Sequence, residues 1–165
     1  MTPKLSLNTN LGIVGASNRL AYLSQALNRT QSAQHGGTVL IADNDAEVLK
    51  EVVRIVDELG FDAVAAPDGR EAQRLLFSAS NFVAGIFELV LPHVSGPDLV
   101  RHMMRHEDLK TIPVIIMTRS NSAKMCTESF SAGARALLPK PFKTTQLQAL
   151  LMTIVGKRRT AAVRT

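Results

Sequence analysis

The chain has 165 residues, of which 45% are hydrophobic and 20% charged, which is ordinary for one globular domain with a sizeable core. Its single cysteine, Cys126, excludes an internal disulfide and any metal site built from several thiolates. No apolar run reaches the roughly 18 residues that a membrane span requires, and polar residues interrupt every apolar stretch near the N-terminus. We therefore expect no membrane segment and a cytoplasmic location.

The formal net charge of +5 is concentrated at the two ends of the chain. Residues 1–37 contain three basic and no acidic residues, and residues 157–165 contain four basic and no acidic residues. Removing these seven from 19 leaves 12 basic against 14 acidic residues, so residues 38–156 carry a net charge of −2. A basic terminus can contact phosphates, but more often it only keeps a chain end in solution. We therefore do not expect nucleic acid to be the main partner.

The chain divides into three zones. Residues 1–37 form a polar extension, in which Ser17 can begin a short amphipathic helix that ends near Arg29. Residues 38–156 carry the pattern of a folded domain, and residues 157–165 read as a basic tail.

From residue 38 onwards, short apolar runs alternate with helical patterns, which is typical of βαβ units in a parallel sheet. The predicted strands cover residues 38–42, 62–66, 82–87, 112–117 and 135–138. The predicted helices cover residues 45–59, 68–78, 95–106, 120–132 and 144–156. Because crossover connections are right-handed, the helices cover both faces of the sheet. We predict a doubly wound α/β fold with five parallel strands.

Polar side chains follow four of the predicted strands. Asp43 and Asn44 follow the first strand, and Glu88 ends the third. Thr118 ends the fourth strand, and Lys140 follows the fifth. The carboxyl ends of parallel strands meet at one edge of the sheet, where ligands bind in this architecture. Two acids, an amide, a hydroxyl and an ammonium at that edge suggest a site for an oxyanion and a metal.

These segments resemble the receiver domains of response regulators in bacterial two-component signalling. The resemblance extends over residues 38–156 and rests on four motifs in order, at residues 38–45, 86–96, 113–118 and 132–142. It implies a flavodoxin-like sheet with the strand order 2-1-3-4-5. It also implies a stand-alone receiver domain in a phosphorelay, acting by protein–protein interaction and not as an enzyme. The implied partner is a signalling protein, either a histidine kinase or a downstream effector. A homodimer through the N-terminal helix or through helix 4, strand 5 and helix 5 is a further expectation.

In that family an aspartate at the end of strand three accepts a phosphoryl group. Magnesium is held by that aspartate, by an acid after strand one and by a backbone carbonyl two residues beyond the acceptor. The resemblance places Glu88 at the acceptor position and Val90 at the carbonyl. It places Asp43 and Asn44 at the acidic pair.

The resemblance also assigns the switch and phosphate-contact positions. Thr118 corresponds to the hydroxyl that bonds the phosphoryl oxygens, and Lys140 to the lysine that neutralises them. Leu137 stands where the family usually has Tyr or Phe rotating with that hydroxyl. The bond between Lys140 and Pro141 is expected to be cis, a form essentially restricted to bonds that precede proline. Exposed basic residues are expected on or near the helix 4, strand 5 and helix 5 face, namely Arg119, Lys124, Arg135 and Lys143.

Three departures from the family pattern predict that phosphorylation is disabled. The extra methylene of Glu88 displaces its carboxylate by about one C–C bond, and such a displacement can cost on the order of 100-fold in rate. The longer carboxylate could instead pair with Lys140 and imitate the charge of the phosphorylated state. Asn44 removes one anion from the metal site, and Leu137 cannot make the aromatic exchange. We expect either that the domain binds no cofactor or that it binds Mg²⁺ only weakly.

Two alternatives stay open at this point. The domain could be phosphorylated on an unusual acceptor, Glu88 or a neighbour. The chain could also associate with nucleic acid through its basic termini.

Overall fold

The computed structural model describes residues 36–78, 81–120 and 122–162, and of residues 157–162 only the backbone. The helix predicted between Ser17 and Arg29 lies outside the described residues.

Within the described residues, five strands alternate with five helices. The strands are β1 (Thr38–Ala42), β2 (Asp62–Ala66), β3 (Phe82–Glu88), β4 (Val114–Thr118) and β5 (Ala136–Pro139). The helices are α1 (Ala46–Glu58), α2 (Gly69–Ser78), α3 (Gly96–Met104), α4 (Ala123–Ala132) and α5 (Thr144–Ala162). The strands form one sheet in the order β2-β1-β3-β4-β5, and every neighbouring pair is parallel. The predicted doubly wound fold and its strand order are confirmed.

Helices cover both faces of the sheet, so its central strands are apolar on both sides. Successive residues of a strand point to opposite faces. In β1, Val39 and Ile41 pack in the core beneath α1 and α5, whereas Leu40 and Ala42 pack in the core beneath α2, α3 and α4. Because apolar residues fill the interior on both sides of the sheet, its polar side chains lie at the ends of the strands.

Side-chain caps fix the starts of the helices at the carboxyl edge of the sheet. Asp45 accepts hydrogen bonds from the N–H groups of Glu47 and Val48, at 3.0 and 3.4 Å, and so caps α1. Ser95 and Ser122 cap α3 and α4 in the same way. Each cap satisfies N–H groups that have no partner inside the helix. The loops that follow β1, β3 and β4 are therefore anchored beside the strand ends.

Three of the differences between the predicted and the observed helix boundaries have a clear physical cause. α4 begins at Ala123 and not at residue 120, because Thr118 and Ser120 form a hydrogen-bonded turn before it. The sequence predicts Thr144 as the cap of the last helix, but Thr144 is the first residue of α5. The N–H of Lys143, the residue before it, donates a hydrogen bond to the Gln146 side chain at 2.8 Å.

The third difference concerns the C-terminal end of the domain. α5 continues to Ala162, across the predicted boundary between the domain and the tail at residue 156. Lys, Arg and Ala are good helix formers, and cations near a helix C-terminus are favourable, so residues 157–162 extend the helix. Although α5 has 19 residues, neither it nor any other helix among the described residues is long and apolar enough to cross a bilayer.

Gly69 starts α2 at a close approach to the β3–α3 loop. A Cβ at this position would lie 1.8 Å from the carbonyl oxygen of Val94. We expect Gly69→Ala to lower the free energy of unfolding by about 1–3 kcal/mol, because the loop must move. Urea denaturation measures this change. Gly156→Ala is the control, since its Cβ would meet no atom within 4 Å, and it should raise stability by about 0.5–1 kcal/mol. Equal effects of the two substitutions would contradict the close approach.

Candidate functional site

Lys140 lies between two acidic side chains at the carboxyl edge of the sheet. Its Nζ is 2.5 Å from Asp43 Oδ2 and also forms an ion pair with Glu88 Oε2. The exposed fractions of the three side chains are 5% for Lys140, 1% for Asp43 and 10% for Glu88. β5 is separated from β3 by β4, so the long lysine side chain is what reaches the other two residues. We call this group the Asp43–Lys140–Glu88 triad.

Every carboxylate oxygen of the triad accepts a hydrogen bond. Asp43 Oδ1 accepts from the N–H of Asp45 at 2.9 Å, and Glu88 Oε1 accepts from the N–H of Val90 at 3.3 Å. The other two oxygens bind Lys140. Buried charges are tolerated when they are paired and when their remaining hydrogen-bonding capacity is satisfied. The local arrangement of the three residues therefore depends on all of them.

A hydrogen bond joins the end of β4 to Lys140, the triad residue that follows β5. Thr118 is buried, and its Oγ1 accepts a hydrogen bond from the N–H of Ser120 at 2.8 Å. The N–H of Lys140 donates to the carbonyl oxygen of Thr118 at 2.7 Å. The bond between Lys140 and Pro141 is cis, as the resemblance implies. The hydroxyl and the ammonium therefore belong to one hydrogen-bonded edge of the sheet.

The remaining sequence-predicted residues lie at the border of the triad. Asn44 is exposed to solvent. Val90 contributes its backbone N–H to Glu88, while its side chain is 61% exposed. Leu137 is partly buried and packs against the core beneath α2, α3 and α4. The structure thus brings Asp43, Glu88 and Lys140 into contact and leaves the Asn44 and Leu137 side chains outside that group.

The residues present do not fit a magnesium site. Mg²⁺ prefers carboxylate oxygens and water. The carboxylate oxygens of Asp43 and Glu88 already accept protein hydrogen bonds, and an ammonium takes one oxygen of each. Asn44 offers only a neutral amide. Across the described part of the chain, no group of three or more His, Cys, Asp or Glu residues is positioned to hold a metal ion.

The sequence analysis did not predict an ion pair that lies next to the triad. Arg119 Nη2 lies 2.9 Å from Asp45 Oδ2, although the two residues are 74 positions apart. Hydrogen bonds from the Val48 N–H and from Arg119 hold the pKa of Asp45 below its usual value. The sequence analysis places Asp45 at the start of the first predicted helix and Arg119 among the expected exposed cations, without connecting the two. The sequence did contain a signal for this contact. The two residues have opposite charges, and they follow β1 and β4, the two strands that neighbour β3.

Lys140→Met tests the dependence of the fold on the triad. The substitution keeps the length of the side chain but leaves two buried carboxylates facing each other. We expect the free energy of unfolding at neutral pH to fall by about 3–5 kcal/mol, the usual cost of breaking a buried ion pair. Urea denaturation measures it. Lys110→Met removes the lysine of an exposed salt bridge with Glu107 and should change stability by less than about 0.5 kcal/mol. If Lys140→Met were as mild as this control, the triad would not be important for stability.

Comparison with known proteins relates the chain to a signalling family. Residues 39–152 match the family model described as the response regulator receiver domain. The Arabidopsis thaliana protein "Two-component response regulator-like APRR1" is 30% identical over 122 residues, which is 73% of this chain and 20% of that protein. The A. thaliana protein "Two-component response regulator-like APRR9" is 33% identical over 113 residues, which is 68% of this chain and 24% of that protein. The chain therefore spans about a fifth to a quarter of the length of these relatives.

Solved structures give the same picture. The chemotaxis response regulator CheY4 of Vibrio cholerae is 26% identical, with a TM-score of 0.67, over 71% of this chain and 97% of that chain. The signal receiver domain of a signal transduction histidine kinase from Syntrophus aciditrophicus is also 26% identical, with a TM-score of 0.68, over 74% of this chain and 92% of that chain.

Proposed function

The chain belongs to the response regulator receiver domain family, and from this premise we propose that it signals by binding a protein partner, without normal aspartyl phosphorylation. The observation that carries the proposal is the ion pair between Glu88 and Lys140. In the family, the corresponding lysine neutralises the phosphoryl group of a phosphoaspartate. A glutamate that reaches this lysine supplies a fixed negative charge in place of a transient one.

The surroundings of Glu88 support a low reactivity towards phosphodonors. Both of its carboxylate oxygens accept hydrogen bonds, and the side chain is nearly buried. Phosphoryl transfer depends on alignment of the attacking oxygen with the leaving group, and a displacement of about 1 Å can cost about 100-fold. The donor set around Asp43 and Asn44 also does not fit the metal ion that assists this reaction in the family.

The face formed by α4, β5 and α5 supports docking of a partner. Lys124, Arg135 and Lys143 are exposed on or near it. Clustered cations favour a partner surface of opposite charge and speed its association. We propose a signalling protein with an acidic contact surface, either a histidine kinase or a downstream effector. A homodimer through the same face is the competing assembly, and sedimentation of the purified chain distinguishes the two.

Incubation with acetyl phosphate and Mg²⁺ tests the proposed lack of phosphorylation. Intact-mass spectrometry of the wild-type chain should show no stoichiometric phosphoryl adduct, because Glu88 is displaced and occupied. The double substitution Glu88→Asp, Asn44→Asp restores the acceptor and the acid of the family and should gain the adduct. If the wild-type chain gains a phosphoryl adduct and Glu88→Ala abolishes it, the proposal is wrong. The domain is then phosphorylated on an unusual acceptor, Glu88.

Glu88→Gln tests whether the triad holds this edge in one arrangement. The amide keeps the size of the side chain but loses the charge that Lys140 binds. A hydrogen bond to a charged group contributes about 1.5–3 kcal/mol, so amide exchange in residues 118–120 and 136–142 should become roughly tenfold faster or more. Hydrogen–deuterium exchange with peptide mass spectrometry measures it. Glu107→Gln, in an exposed salt bridge, is the matched control and should leave exchange unchanged. Unchanged exchange in both variants would mean that the triad does not restrain the edge.

A further inference from the structure

The ion pair between Arg119 and Asp45 crosses the end of strand β3. Asp45 follows β1 and Arg119 follows β4, and β1 and β4 are the two neighbours of β3 in the sheet. A bond between the loops after these strands must span the carboxyl end of β3, where Glu88 lies. The bond is direct, at 2.9 Å between the guanidinium and the carboxylate.

Both ends of this ion pair are anchored. Asp45 uses one carboxylate oxygen to cap α1, which leaves the other for Arg119, and its N–H is bound to Asp43 of the triad. The loop that carries Arg119 is held by the turn in which Thr118 Oγ1 accepts the N–H of Ser120. Because the backbone is fixed on both sides, the two side chains meet without rearrangement of either loop.

The side chains of the ion pair are much more exposed to solvent than the side chain of Glu88. The Arg119 side chain is 69% exposed, that of Asp45 is 37% exposed, and that of Glu88 is 10% exposed. A reagent that approaches the end of β3 between the loops after β1 and β4 therefore meets the guanidinium and its carboxylate partner, which join these loops, before it reaches residue 88.

We propose that the Arg119–Asp45 ion pair is a gate that restricts the access of phosphodonors and other small reagents to residue 88. This inference rests on the proposed function only in treating residue 88 as the acceptor position. An ion pair in solvent is weak, with a typical contribution of about 0.2–1 kcal/mol. The gate therefore opens often, and it slows access without abolishing it.

Cysteine labelling measures the gate directly and needs no phosphorylation. The starting variant carries Glu88→Cys together with Cys126→Ser, so that residue 88 bears the sole thiol. Its rate of alkylation by iodoacetamide is followed by intact mass over a range of pH. Comparison is made per thiolate, because removing a nearby cation also changes the ionisation of the thiol. Adding Arg119→Ala should raise this rate about two- to fivefold, as expected for the loss of one exposed ion pair.

Three controls separate a gate from a general effect of charge. Arg119→Gln keeps much of the side-chain length without the charge and should give an intermediate rate. Raising the salt concentration to about 1 M should reduce the difference in labelling rate between the starting variant and its Arg119→Ala derivative, because the Debye length is then about 3 Å and the ion pair is screened. Lys50→Ala removes the cation of another exposed salt bridge, with Glu47 on α1, and should leave the labelling rate unchanged.

Equal rates with and without Arg119 would overturn the gate, and so would an equal acceleration by Lys50→Ala. If circular dichroism shows that the Glu88→Cys variant is unfolded, the rate at which the Glu88→Asp, Asn44→Asp variant takes a phosphoryl group from acetyl phosphate, with and without Arg119→Ala, gives the same comparison. The gate and the proposed function fail separately. If labelling does not depend on Arg119 but the wild-type chain takes no phosphoryl group, only the gate is wrong. If labelling depends on Arg119 but the wild-type chain is phosphorylated, only the proposed function is wrong.

Discussion

The site is organised by one buried ammonium group that binds two carboxylates. Lys140 is almost completely removed from solvent, and such a charge is stable only when ion pairs and hydrogen bonds replace its hydration. Asp43 and Glu88 provide them from β1 and β3, and the lysine reaches them across the end of β4. Two anions and one cation leave a single net negative charge, which backbone N–H groups of the adjacent loops help to stabilise. The loops after β1 and β3 are thereby coupled to the end of β5.

The rest of the fold makes this arrangement possible by keeping polar groups out of the sheet interior. The central strands are apolar on both faces because helices cover both sides, so the polar side chains stand at the strand ends. The caps at Asp45, Ser95 and Ser122 then fix the loops that surround the triad. Packing determines where the edge is, and a few residues at the edge determine its chemistry.

In the proposed function, a fixed receiver domain differs from a switchable one by one methylene group at the acceptor position and by the loss of one carboxylate at the metal position. The glutamate at position 88 binds Lys140, the residue that corresponds to the lysine neutralising the phosphoryl group in the family. Signalling would then depend on the presence or binding state of the protein and not on a covalent mark. The exposed cations of α4, β5 and α5 provide a surface for such binding.

The sequence by itself determined the fold class and the position of most elements, because hydrophobic periodicity and capping residues are local signals. The strand order followed from the resemblance to receiver domains, since local signals do not say which strands are neighbours. The sequence also indicated that Asp43, Glu88 and Lys140 share one edge, since parallel strands end together. It could not determine the length of α5, because residues 157–162 read as a polar tail, yet their helix-forming residues extend the helix. It also missed the contact between Arg119 and Asp45. Pairing between residues 74 positions apart depends on side-chain geometry across three strands, which only the tertiary structure decides.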